Sequence, residues 1–262
     1  MDASNAPILE WDDDSSQVSK EYFFRQGKKD FSDFEEVMDK AVEKCIIFLP
    51  RAFEDCKEIY RDCKKVYDFK SASTISPIYL YKNKILIALC PLGGPAATNL
   101  VEELSYIGIR TFIACGSCGC LDETLDINTL IIPTDSIRDE GTSYHYMPAS
   151  RTVETSSAVN KAIEKVLKRN KEKYIKSRIW STDSIYRETP NRIARRKAEG
   201  AIGVEMECAS IAAVAKYYNI YFGELLYFTD LIGPHKWDWR KYDKIALRTK
   251  ILHICIDALD LL

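Results

Sequence analysis

Two carboxylates flank a methionine in the stretch GVEMEC, where Glu205, Met206 and Glu207 lie in an otherwise apolar run. Burying a carboxylate without a partner is costly. The positive end of a helix dipole favours an acid in the first turn, which accounts for one of the two acids but not for both. An ionised carboxylate only accepts hydrogen bonds, so a pair of them presented to a ligand suits vicinal hydroxyls such as those of a ribose. A second candidate is Asp230 in LLYFTDLIG, at the end of a strand-like apolar run. A turn or cap Asp is the competing reading. Facing a pocket, with its pKa raised, the same group would serve as an acid. A third candidate is FIACGSCGC at 112–120. Gly116 and Gly119 let the backbone approach a ligand, and Ser117 supplies a hydroxyl and an N–H. Cys115 and Cys118 have Cys-x-x-Cys spacing, but a zinc site needs a second ligand pair, and His145, His235 and His253 are isolated. A thioredoxin-like redox pair belongs near the start of a helix, and GCLDETLD does not read as one. The expectation is a glycine loop, with no metal.

The 262 residues suffice for one large α/β domain or two small ones. A net charge of −2 gives no bulk electrostatic case for nucleic acid or an anionic membrane. The basic clusters KVLKRNKEKYIK and RIARRK have helical spacing and read as solvated helix faces. The acidic N-terminus has neither a basic n-region nor an apolar h-region, and no apolar run is long enough to span a bilayer. Nine cysteines, an odd number without a secretory signal, suggest reduced thiols and a cytoplasmic location.

The elements that must position these groups follow from the hydrophobic pattern. Residues 1–43 are polar and irregular, with weak helical character in DFEEVMDKAVEK, and are expected to extend a domain over 44–262. CIIFLP reads as a strand, and AFEDCKEIYRDCKKV has helical spacing. IYLYKNKILIALC reads as a hairpin turning at Lys82-Asn83. LGGPAATNLVEELSYIG reads as a loop followed by a helix, with Pro95 in the first turn. RTFIACG and TLIIPTDSI are strands, and RDEGTSYHYMPASRTVE is a long loop. A helix over 156–170, the strand YIKSRIWSTD and a helix closed by Gly200 come next. VEMECASIAAVAKYYN reads as a helix, FGELLYFTDLIG as a strand, WDWRKYDK as a candidate lid helix, and the chain closes with another helix. The alternation predicts one α/β domain of largely parallel strands, with ligands outside their carboxyl ends.

In their order and spacing, FIACGSCGCLD, GVEMECASIAAVA and LLYFTDLI resemble the purine nucleoside phosphorylase and uridine phosphorylase superfamily. CIIFLPRAFEDCKEI and YKNKILIALCPLGGPAATNLVEEL do so as well. The resemblance implies a single α/β domain with helices around a mixed, partly barrel-like central sheet. It also implies a homo-oligomer, a dimer or a trimer of dimers. Glu207 would hold the ribose hydroxyls, Met206 would pack on the sugar, and Glu205 would support that turn or contact a hydroxyl. Ser117 and the backbone of Cys118 and Gly119 would line the phosphate and base side. Ile185 or Tyr186 would stack on the base. Asp230, with Thr229 beside it, matches the acid that protonates N7 of a leaving purine. The implied reaction cleaves a purine ribonucleoside with inorganic phosphate as co-substrate and no metal or organic cofactor.

The departures bear on that phosphate. The family holds it with a Gly-Asp turn, an Arg soon after the first strand, and an Arg two residues before the first glycine of the loop. Here the Gly is Arg51, the first Arg falls near Asp55, and the second is Ala114. An alanine cannot give the bidentate bonds of a guanidinium. Arg51 and Arg138 are the candidate replacements, each with a structural reading beside the functional one. The pyrimidine-reading Gln and Arg of the uridine branch fall near Thr189 and Asn191, so Asp230 tips the base toward a purine. Phosphorolysis is the leading expectation. Hydrolysis on the same fold and a catalytically silent nucleoside-binding protein are the alternatives.

Overall fold

The apolar strand segments line up side by side in the computed structural model, which describes residues 6–12, 14, 34–49, 53–126, 128–232, 237–239 and 243–262. Eleven strands form one sheet: β1 (Lys44–Phe48), β2 (Cys63–Lys70), β3 (Ile75–Tyr81), β4 (Ile85–Leu89), β5 (Thr111–Cys120), β6 (Leu130–Asp139), β7 (Thr152–Glu154), β8 (Tyr174–Thr182), β9 (Ala201–Glu205), β10 (Tyr221–Ile232) and β11 (Trp237–Trp239). Seven α-helices accompany it among the described residues: α1 (Glu35–Asp39), α2 (Lys57–Tyr60), α3 (Gly94–Tyr106), α4 (Ser157–Arg169), α5 (Pro190–Ala198), α6 (Cys208–Tyr217) and α7 (Lys244–Leu259).

The sheet is mixed. β5 pairs in parallel with β1 and β10, β1 with β4, and β8 with β6 and β9, while the other pairings are antiparallel. Pairings β5–β10, β10–β6, β6–β8, β8–β9 and β9–β5 close five strands into a ring. Closure gives each of these strands a partner on both sides. The partly barrel-like α/β fold is therefore present, and the expectation of largely parallel strands is corrected to a mixed sheet.

Consecutive residues of the inner strands go to opposite faces, as a period of two requires. Ile46, Ile113 and Cys115 join one core cluster, and Ile47, Ala114 and Cys118 join the other. Phe34 and Val37, from the stretch expected to precede the domain, are buried in that second cluster. The hairpin forms as read, with Lys82 and Asn83 both at positive φ (46° and 60°) between β3 and β4. Such φ values suit a tight two-residue turn.

Several element readings need correction, among them the long loop over 138–154, which carries a 3₁₀ turn (Thr142–His145) and strand β7. The helical spacing of 52–66 ends early: α2 is short, and Cys63 onward is strand β2, whose exposed lysines imitate an amphipathic helix. VEME is not helix, because Ala201–Glu205 is β9 and the helix begins at Cys208. Trp237–Trp239 is a strand antiparallel to β10 rather than part of a lid helix, and residues 240–242 lie outside the described residues. No helix of the described residues is long and apolar enough to cross a membrane.

Candidate active site

The segment read as a glycine loop is a strand. All of Thr111–Cys120 belongs to β5, so FIACGSCGC is ladder rather than cradle. Its glycines serve close packing. A Cβ on Gly116 would lie 2.5 Å from Leu49 Cδ1, and one on Gly119 would lie 2.4 Å from Ile232 Cδ1. Cys115 and Cys118 point to opposite faces, about 10 Å apart along the strand. A disulfide needs Cα atoms within about 7 Å, so the pair is not a redox couple. Burial pushes both thiols up, which keeps them protonated and inert.

β5 pairs with β1 only as far as Cys115, and its pairing with β9 starts at Gly119. Between the two, the ladder opens on one side. The Cys115 carbonyl accepts the Leu49 N–H at 3.1 Å on the β1 side, and the Cys118 carbonyl accepts the Thr229 hydroxyl at 3.3 Å on the β10 side. Backbone groups alternate along a strand, so the Ser117 amide faces the opening. Ser117 itself is half-buried. Gly119 is flanked by strands on both sides, facing Val204 and Asp230. Its backbone, offered by the sequence as a ligand contact, is ladder.

One row of residues crosses four strands: Ser181 faces Glu205, the adjacent Val204 faces Gly119, and Gly119 faces Asp230. This row brings the GVEMEC acids and the late Asp to one rim of the ring. Asp230 gets there through a bulge. Phe228 faces Cys118 and Asp230 faces Gly119, so Thr229 is an extra residue in β10. A bulge re-aims the residues that follow it. The Thr229 hydroxyl donates to Asp230 Oδ1. Asp230 is buried, at 7% exposure.

Glu205 and Glu207 have different jobs. Glu205 accepts from the Ser181 hydroxyl and from the backbone N–H groups of Glu207 (2.6 Å) and Cys208 (2.7 Å). It ties the turn and fills the N-terminus of α6, a favourable place for negative charge. Glu207 accepts the Gly93 N–H at 2.6 Å, across from the loop that starts α3. Gly93 has φ 91°, a conformation that favours glycine. Gly94 comes so close to α6 that a Cβ would lie 2.3 Å from Ser210 Oγ. Burial and then the Glu207 charge push Glu205 up, against the pull of its hydrogen-bond donors. Burial likewise raises Glu207, against the Gly93 N–H. Met206, between them, is half-buried.

Ile185 and Tyr186 lie on a short 3₁₀ turn (Ile185–Arg187) after β8 and project outward, at 48% and 95% exposure. Arg138 is buried and fully engaged. It donates to Ser143 Oγ (2.8 Å), to the Pro148 carbonyl (2.7 Å), to Ser150 Oγ (2.6 Å) and to the Met147 carbonyl (3.2 Å). It also stacks over Tyr144 at 4.2 Å. These bonds make it a tie for the 142–152 segment. Arg51 lies outside the described residues. Two acids escaped the sequence reading. Glu188 follows the 3₁₀ turn, half-buried and close enough to feel the Asp230 charge. Glu224, opposite Ala114 in the ladder, is fully buried with no oxygen or nitrogen partner, and burial drives its pKa well up. Its place in an otherwise apolar strand was the available signal. Among the described residues no group of three His, Cys, Asp or Glu side chains is arranged to hold a metal ion.

The model of a family described as the phosphorylase superfamily matches residues 45–248. A guanosine phosphorylase of Halorubrum lacusprofundi is 29% identical over 138 residues, 51% of this chain and 56% of that protein. The chain therefore spans little more than half the length of that relative. A DeoD-type purine nucleoside phosphorylase of Shewanella oneidensis is 28% identical over 182 residues, 65% of this chain and 77% of its own length. In fold, the chain is similar to the AMP nucleosidase of Bacteroides thetaiotaomicron, with a TM-score of 0.69 at 20% identity, covering 84% of this chain and 88% of that one.

Proposed function

The chain belongs to the phosphorylase superfamily, and from that premise we propose that it cleaves the N-glycosidic bond of a purine ribonucleoside. The observation that carries this reading is the shared rim: Glu207, fixed by the Gly93 N–H, and Asp230, turned in by the Thr229 bulge, stand at the same end of the ring. In this reading Glu207 accepts from the ribose hydroxyls and Met206 packs on the sugar. Asp230 gives its proton to N7 as the bond to the sugar breaks and its electron pair moves to the base. A placed acid contributes roughly 10²–10⁴-fold. The cationic sugar is then captured by an acceptor.

Phosphate is the acceptor suggested by the two phosphorylase relatives. Water is a second reading, favoured by one observation. Ala114 offers no cation, its ladder partner is the acid Glu224, and the guanidinium of Arg138 is taken up by its own loop. A dianion would gain nothing from that side of the site.

The test is release of free base from inosine, guanosine and adenosine, with and without phosphate. Release that requires phosphate and yields ribose 1-phosphate identifies phosphorolysis. Release indifferent to phosphate identifies hydrolysis. Binding without release from any of the three overturns the catalytic reading.

A further inference from the structure

Gly94, the first residue of α3, sits in a seat with two walls. One wall is Ser210 of α6, whose Oγ would lie 2.3 Å from a Cβ on Gly94. The other is Thr142, at the head of the 3₁₀ turn Thr142–His145, whose Oγ1 would lie 3.1 Å from the same Cβ. The residue before Gly94 is Gly93, whose N–H holds Glu207. The aim of that N–H depends on where the seat is.

One buried carboxylate holds both walls. Glu140 directly follows β6 and is 6% exposed. Its Oε2 accepts the Ser210 hydroxyl at 2.6 Å. The same oxygen accepts the N–H of Ser143, the neighbour of Thr142, at 2.9 Å. The two donors come from different elements and meet at one atom, so α6 and the turn cannot part without breaking a bond to it. The other oxygen, Oε1, has no partner among the described residues. The support is itself fixed. The Gly141 N–H donates to Asp183 Oδ2 at 2.8 Å, just past the end of β8. Arg138 holds the side chain of Ser143 through a bond from Nε to Oγ at 2.8 Å.

We propose that Glu140 is a positioning residue for the sugar site: by fixing the seat of Gly94 it aims the Gly93 N–H at Glu207, and so sets where Glu207 presents its carboxylate to the ribose hydroxyls. This rests on the reading of Glu207 as the group that holds the ribose. In this role Glu140 touches neither sugar nor base. It acts through Ser210, the 3₁₀ turn and the glycine pair.

The magnitudes agree with such a role. Hydrogen bonds weaken steeply as they lengthen or bend. A misplacement of about 1 Å in a group that positions substrate can cost about 10²-fold. Removal of Glu140 leaves the Ser210 hydroxyl and the Ser143 N–H, both fully buried, without their common acceptor. Unpaired donors in a buried seat drive the walls to shift.

The experiment measures, by calorimetry on the whole chain, the binding of inosine, of dideoxyinosine, which lacks both vicinal hydroxyls, and of hypoxanthine. The wild type should prefer inosine to dideoxyinosine by at least about tenfold, since the hydroxyls bond to a charged group. In Glu140→Ala that preference should narrow to about threefold or less, through weaker inosine binding alone, with hypoxanthine bound as before. Glu140→Gln keeps an oxygen that can take both donors and should hold the wild-type preference to within about threefold. Ser210→Ala removes one donor and leaves Glu140 in place, and it should narrow the preference as well. It carries the test if Glu140→Ala does not fold. If Glu140→Ala, or Ser210→Ala in its place, keeps the wild-type preference, the positioning role is wrong. If all three ligands weaken alike, Glu140 serves the fold and the proposal is also wrong. A Gln variant as indifferent to the hydroxyls as the Ala variant overturns the shared-acceptor role. A wild type that binds inosine and dideoxyinosine equally removes the reading of Glu207 itself. A wild type that prefers inosine, with an unaltered variant, removes the role of Glu140 alone.

Discussion

Replacing Glu207 by Gln keeps its shape and removes its capacity to accept at both oxygens. Ribonucleoside binding should then weaken by at least about tenfold, since hydrogen bonds to a charged group are worth about 1.5–3 kcal/mol. Free base should bind as before, and calorimetry on nucleoside and base separately checks this. Equal weakening of both would remove Glu207 from the sugar. Asp230→Asn should lower kcat on inosine about 10²–10⁴-fold while binding persists. Both positions were legible in the sequence, because acids in apolar runs need a reason to be there. What the residues left open was the partners: nothing in VEME names the Ser181 hydroxyl and two backbone N–H groups that hold Glu205, or the Gly93 N–H that Glu207 accepts. Glu188 was hidden for a similar reason. A lone acid in YRETPNR looks like any exposed loop residue, and only the fold shows that it is half-buried, with its carboxyl pushed up to about 7 mainly by burial.

At the scale of elements, the glycine-rich segment carries the lesson. Glycines beside a serine read as a phosphate-binding loop, and alternation of small residues gave no cue that the strand continues. In the fold those glycines admit Leu49 and Ile232. The opening that faces Ser117 comes from where β1 stops and β9 begins, which is a property of three strands and of no single motif. Gly94 gives the sharpest test at this scale. Gly94→Ala puts a methyl 2.3 Å from Ser210 Oγ and should force α3 from α6. Overpacking of this kind costs about 1–3 kcal/mol. It should also draw the Gly93 N–H from Glu207, so KM should rise together with the loss in melting temperature. An unchanged KM would uncouple the helix contact from the sugar site. Arg138→Ala strips the Pro148 and Met147 carbonyls of their donor. A loss of about 2–5 kcal/mol in chemical denaturation is expected. Preserved stability with a weakened response to phosphate would instead make Arg138 an anion ligand.

For the whole molecule, the buried acids set how stability follows pH. Burial raises Glu205, Glu207 and Glu224 above their ordinary range, and Glu188 to about 7. In the unfolded chain these groups ionise near 4–4.5. Above that, the folded state keeps protons that the unfolded state has lost, so stability is greatest near the low end and falls as pH rises through the raised values. The melting temperature should drop between pH 5.5 and 8.5, and Glu224→Gln should flatten that slope whatever it does to the absolute value. A level or rising curve for the wild type would contradict the burial of these charges. The ring has one more consequence, for how the protein comes into being. β5 finds β10 across a hundred residues of intervening chain, and such distant pairing is slow and late. That pairing sets Asp230 opposite Gly119, whose other neighbour is Val204, the residue before Glu205. During synthesis from the N-terminus, the nine strands before β10 can all be made while the ring is still open, and the ring closes in one step, when the tenth strand emerges and completes the circle.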